Sequence, residues 1–131
     1  MTSLFPDVCT DDVAACRDFY TRLLELKAVF DSDWYVQLQH PEDERIQLAF
    51  VQRAHDSVPA TDQKPATGVL VTFECDDATA VHARAREQGV PIVQELRDEA
   101  WGQRHFMTRD PAGLLVDVVE LIPPTGEYAA Q

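Results

Sequence analysis

Val13, Cys16, Phe19, Tyr20, Leu23 and Leu24 recur at intervals of three and four. That spacing sets one apolar stripe along a helix. Asp11 and Asp12 stand just before it, where carboxylates cap free backbone amides and meet the positive end of the helix dipole. Ahead of the helix, residues 3–9 predict a short strand weakened at its centre by Pro6. Behind it, β-forming runs at 27–31, 34–39 and 45–51 predict three strands, with turns at Asp31-Ser32 and at His40-Pro41-Glu42-Asp43. A polar stretch at 52–67, with prolines at 59 and 65, reads as a connection.

The pattern then starts again. Residues 68–75 predict a strand, Asp76-Asp77 open a second helix with Val81 and Ala85 facing inward, and Gly89 closes it as a left-handed cap. Strands are predicted at 90–96, 104–108 and 114–122, with Asp110-Pro111-Ala112-Gly113 as a turn and Pro123-Pro124 as the stop. The acidic run Glu95-Leu96-Arg97-Asp98-Glu99 reads as a solvated loop. The order is strand, helix, three strands, twice over, and the two acidic pairs lie 65 residues apart, about half the chain. This is an internal repeat of a βαβββ unit. Half-length units of this kind seldom bury both faces alone, so the expectation is α+β: two tandem modules, about 3–51 and 67–122, within a single domain.

Charge narrows the partners. The 131 residues carry 23 acidic against 11 basic side chains, a formal −12. Such a chain repels phosphate backbones and anionic lipid, so nucleic acid and membrane surfaces are not expected partners, whereas a cationic or neutral small molecule is compatible. The 45% apolar content is that of a folded domain. No apolar run nears the roughly 20 residues of a membrane span, and MTSLFPDVC lacks the basic and apolar regions of a secretory signal. Cys9, Cys16 and Cys75 are odd in number and form no CxxC, so buried free thiols and a cytoplasmic location are expected.

The residues 12–24, Asp-Val-Ala-Ala-Cys-Arg-Asp-Phe-Tyr-Thr-Arg-Leu-Leu, resemble the first-helix pattern of the vicinal-oxygen-chelate superfamily. That superfamily includes glyoxalase I, extradiol dioxygenases and bleomycin-resistance proteins. Trp101-Gly102-Gln103-Arg104, and Arg109-Asp110-Pro111-Ala112-Gly113 before an apolar strand, resemble its second half. Glu25 departs from the pattern, standing where the family carries its helix-capping glycine. The resemblance implies two modules whose mixed sheet curves into a cup, usually completed in a homodimer. It also implies a metal held from four strand positions, which fall here on Phe5, Gln47, Leu70 and Asp117. Two of the four are hydrocarbon and cannot coordinate a cation, so neither a family-type metal nor a cofactor is expected. His40, His55 and His82 fall on a turn, the connection and a helix, and read as surface or packing residues. His105, on a strand, is the one histidine placed to converge with Asp117 and Gln47.

Without a Lewis acid the cup retains aromatic and polar walls suited to binding. Trp34, Gln37, Gln47, Trp101, Arg104, Phe106 and Asp117 are the candidate ligand-binding residues. Asp117 lies on an apolar strand, so it either contacts a ligand or pairs with Arg104 or Arg45. The resulting expectation is a metal-free binding protein resembling bleomycin-resistance proteins, sequestering a cationic or aromatic ligand. The alternative is a glyoxalase- or dioxygenase-type lyase or isomerase with a displaced metal site. A metal-free enzyme with Asp117 as general base is a third reading.

Overall fold

The acidic pairs start the helices as their positions require. In the computed structural model, which describes residues 1–130, the Asp12 carboxylate accepts from Ala15 N at 3.0 Å at the head of α1 (Val13–Leu23). Asp77 does the same for Ala80 N, also at 3.0 Å, at the head of α2 (Ala78–Gln88). α1 follows β1 (Asp7–Thr10) and leads into β2 (Lys27–Asp31), β3 (Tyr35–His40) and β4 (Asp43–Gln52). After the connection, which carries one 3-10 turn at Ala60–Asp62, come β5 (Leu70–Glu74), α2, β6 (Ile92–Glu99), β7 (Gln103–Arg109) and β8 (Leu115–Leu121).

Each repeat builds a four-stranded mixed sheet, ordered β1-β4-β3-β2 in the first and β5-β8-β7-β6 in the second. The first and last strand of each repeat pair in parallel, and the other neighbours are antiparallel. The chain divides into two compact units: Met1–Gly68 with Asp110–Gly113, and Val69–Arg109 with the segment from Leu114 onward.

In the first unit, the pairings Val36↔Phe50, Leu38↔Leu48 and Val8↔Phe50 put these side chains on one face, under the α1 stripe. Tyr20 lies 5.5 Å from Phe50, ring to ring, and both are fully buried. In the second unit Ala78, Val81 and Ala85 of α2 are buried, as are Phe106, Val116 and Val118 of the sheet face with the same parity. Thr108 shares that face, and its hydroxyl is buried without a hydrogen-bond partner.

Three details differ from the sequence expectation, and a fourth, at Glu25, shows what replaces the capping glycine. β1 begins at Asp7 rather than residue 3; Pro6 has no N–H to give the ladder and contributes only its carbonyl, to Ala49 N at 2.9 Å. β6 runs on through Glu99, so 95–99 is strand and not solvated loop; Arg97↔His105, Asp98↔Arg104 and Glu99↔Gln103 pair it to β7. The charged run Arg97-Asp98-Glu99 hides the end of the strand in the sequence, and the pairing of β6 with β7 carries two register shifts. Of the three free thiols only Cys16 is buried, and its burial pushes its pKa up to about 12; Cys9 and Cys75 are half-buried. Glu25, in place of a capping glycine, itself adopts the left-handed conformation at φ 59°, whereas α2 ends on Gly89 at φ 69°. No helix among the described residues is long and apolar enough to cross a membrane.

Candidate functional site

On the first sheet, the pairings Tyr35↔Val51, Gln37↔Ala49 and Gln39↔Gln47 share the face turned from α1. A line of polar groups crosses it. The Tyr35 hydroxyl donates to Gln37 Oε1 at 2.8 Å, the Gln37 amide donates to Gln47 Oε1, and Gln47 Nε2 donates to the Glu44 carbonyl at 2.6 Å. Beside this line a mainly apolar cavity of about 390 Å³ is lined by Phe30, Trp34, Tyr35 and Val51, with Asp7, Gln37 and Ser57 as its polar points. Burial raises the Asp7 carboxyl. Burial and the Asp7 charge together raise the Tyr35 phenol. Trp34 is held flat against the His55 imidazole, centroids 3.8 Å apart and planes 10° from parallel. Phe30 meets Tyr35 edge-on at 5.8 Å.

Such a wall offers π-faces to a flat guest and one carboxylate to a cationic or hydrogen-bond-donating group. Of the candidates in this unit, Trp34 and Gln37 line the cavity and Gln47 braces Gln37. Asp7, Phe30 and Tyr35 were missed. Tyr35 shares the parity of Gln37 and was legible, but Asp7 and Phe30 come in from neighbouring strands whose register the sequence does not state.

On the second sheet, the face turned from α2 carries a three-group chain. His105 on β7 has Nδ1 2.8 Å from Asp117 Oδ1 of β8 and Nε2 2.8 Å from Glu99 Oε2 of β6. Its side chain is 5% exposed, against 10% for Asp117 and 14% for Glu99. Arg97 Nε donates to the same Glu99 oxygen at 3.0 Å. Burial alone would lower the His105 pKa, but hydrogen bonds to Glu99 and Asp117 outweigh it and hold the pKa above the usual histidine value. The His105 contact in turn holds Glu99 below the usual carboxylate range.

The partner of Asp117 is therefore His105, not Arg104 or Arg45. Arg45 pairs with its neighbour Asp43 at 2.9 Å. Arg104 and Phe106 have the opposite parity to His105 and lie on the α2 side, which removes both from this face. Arg104 pairs with Asp98 at 2.7 Å and with Glu120 at 3.6 Å, and Glu120 in turn accepts from Ala78 N at the start of α2. Phe106 is fully buried, 5.1 Å from the His82 ring. Trp101 sits in the β6–β7 turn, half exposed, donating to Gln103 Oε1 at 2.8 Å. His105, the one histidine expected to converge with Asp117, does meet it, and joins it to the partly buried Glu99. Its signal was a histidine and an aspartate of like facing on adjacent strands.

The four metal-ligand positions implied by the resemblance do not suit a metal. Phe5 and Leu70 have no donor atom, and the Asp117 carboxylate is already engaged by His105. Among the described residues no group of three or more His, Cys, Asp or Glu side chains is arranged to hold a metal ion.

Comparison with known proteins agrees with this architecture. Uncharacterised proteins of Mycobacterium bovis and Mycobacterium tuberculosis are each 27% identical over 124 residues, covering 85% of this chain and 78% and 69% of their own lengths. Among solved structures, a superfamily member from Sphaerobacter thermophilus superimposes with a TM-score of 0.73 at 21% identity, over 92% of this chain and 97% of the other. A lactoylglutathione lyase from Agrobacterium tumefaciens gives 0.69 at 20% identity, over 92% and 94%. The sequence model of the Glyoxalase/Bleomycin resistance protein/Dioxygenase superfamily matches residues 4–118, and the chain belongs to that superfamily.

Proposed function

We propose that this protein binds a small aromatic cation in the cavity on its first sheet and carries out no chemistry on it, in the manner of the bleomycin-resistance proteins of its superfamily. The carrying observation is the wall of Phe30, Trp34, Tyr35 and Val51 around a single carboxylate, Asp7. Aromatic faces stack on a planar guest, and a partly desolvated carboxylate favours a positive one. The formal −12 adds long-range attraction for cations. A homodimer, the assembly implied by the resemblance, and a cytoplasmic location belong to the same reading.

The test is calorimetric titration of the protein with bleomycin and with proflavine, a planar cation, using the planar anion fluorescein as control. Saturable binding of a cation is expected, with fluorescein excluded. Trp34→Ala should abolish binding, and Asp7→Asn should weaken it by about tenfold, the scale of one partly buried ion pair. Heat from neither cation, or binding unchanged in both variants, overturns the reading.

A further inference from the structure

The line of polar groups across the first sheet leads from the aromatic cavity to a second one. Gln37 lines the first, Gln47 lines the second, and the Gln37 amide donates to Gln47 Oε1. The second cavity, about 400 Å³, is lined by residues 2–4, ahead of β1, and by Gln39, Glu44, Arg45 and Gln47. It has no aromatic wall. The pairings Lys27↔Gln39 and Gln39↔Gln47 set three polar side chains in one row across β2, β3 and β4.

The charges at this end cancel. Glu44 is offset by Lys27, and Arg45 by Asp43, which it meets at 2.9 Å. A compartment balanced in this way suits a neutral polar group better than an ion. The Gln47 amide is committed to Gln37 and to the Glu44 carbonyl. The Gln39 amide and the Glu44 carboxylate, in contrast, carry no hydrogen bond among the described residues. An amide donates and accepts, and a carboxylate accepts, so the matching guest group is one rich in hydroxyls. From Tyr35 to Gln39 the strand advances about 13 Å, the reach of a small ring with a sugar attached.

We infer that the ligand of the first sheet is an aromatic cation carrying a neutral hydroxylated arm, in the simplest case a glycosyl group, with its ring on the Trp34 wall and its hydroxyls at Gln39 and Glu44. This rests on the cavity reading given above and extends it from the ring to the rest of the molecule. Gln39 is then the residue that distinguishes a glycosylated cation from a bare one, because its amide is the free hydrogen-bonding group nearest the middle of the row.

Ring-methylated nicotinamide and nicotinamide riboside test it, since they share one flat cation and differ in a methyl against a ribosyl group. Calorimetric titration of wild type should show nicotinamide riboside binding about tenfold more tightly, the scale of one or two hydrogen bonds. In Gln39→Ala that advantage should fall below about threefold. Equal affinity for the two in wild type, an advantage that survives Gln39→Ala, or no binding of either where proflavine binds, overturns this inference alone. Failure of proflavine as well overturns the cavity reading, and the arm falls with it. Should Gln39→Ala not fold, the wild-type pair decides.

Discussion

The hydroxyl of Tyr20, in the middle of α1, donates a 2.6 Å hydrogen bond to Oδ2 of Asp110, 90 residues further along the chain. Asp110 is 4% exposed and also accepts from Ala112 N at 2.9 Å. The Asp-Pro-Ala-Gly turn is thereby fastened beneath the helix, which is why Asp110–Gly113 belongs to the first compact unit and not to the strands that flank it. Burial and the Asp110 charge raise the Tyr20 phenol, so it remains a donor at all ordinary pH.

Tyr20→Phe keeps the ring packing on Phe50 and removes the donor, leaving a buried carboxylate one bond short. The expected cost is about 2 kcal/mol. Calorimetry should read this as a Tm lower by roughly 8 °C. A loss below about 1 °C would mean that Asp110 draws its stabilisation elsewhere.

The contacts of His105 with Glu99 and Asp117 set a pH dependence. Folding raises the pKa of this imidazole, so its stabilisation is complete below the unfolded value of about 6.5 and is lost as pH rises through the folded value. Thermal unfolding of wild type should therefore weaken on the alkaline side of neutrality. In His105→Gln that alkaline decline should flatten. Parallel curves for the two proteins would show that His105 is not the source of the decline. Glu99 acts in the opposite sense: its pKa is lowered by folding, so its contribution disappears only as pH falls into the acid range.

Thr108 carries a buried hydroxyl without a partner in the α2-facing core. Valine has the same branched shape without the desolvated oxygen, and suits a strand. Thr108→Val should stabilise the protein by about 1 kcal/mol. The check is an increased urea midpoint at unchanged m-value.

Glu25 holds a left-handed conformation, φ 59°, that a side chain disfavours and glycine does not. Glu25→Gly should raise stability by about 0.5–1 kcal/mol, while Glu25→Ala should give no such gain. Urea denaturation of the pair separates relief of backbone strain from removal of the charge.

The sequence by itself determined the elements, their order and their duplication. These follow from local causes that need no partner: the three-and-four spacing of Val13, Cys16, Phe19, Tyr20 and Leu23, and the caps Asp12, Asp77 and Gly89. The family was legible for the same reason, since its motifs sit at helix starts and tight turns. Gln37 was legible as a wall residue because β3 alternates cleanly, whereas Trp34 joins the same wall from the bend just before that strand.

Tertiary structure alone decided which partners meet. Phe106 and His105 differ by one position, yet one enters the core beside α2 and the other meets Asp117, because adjacent residues on a strand face opposite ways. Glu99 reached His105 only because β6 continues through a charged stretch, carried past two register shifts by pairing with β7. Asp7 and Phe30 join the Trp34 cavity from β1 and β2, the two outer strands of their sheet. Facing along one strand is a local property that sequence records; register between strands is set by pairing across the sheet, and that is where the site is made.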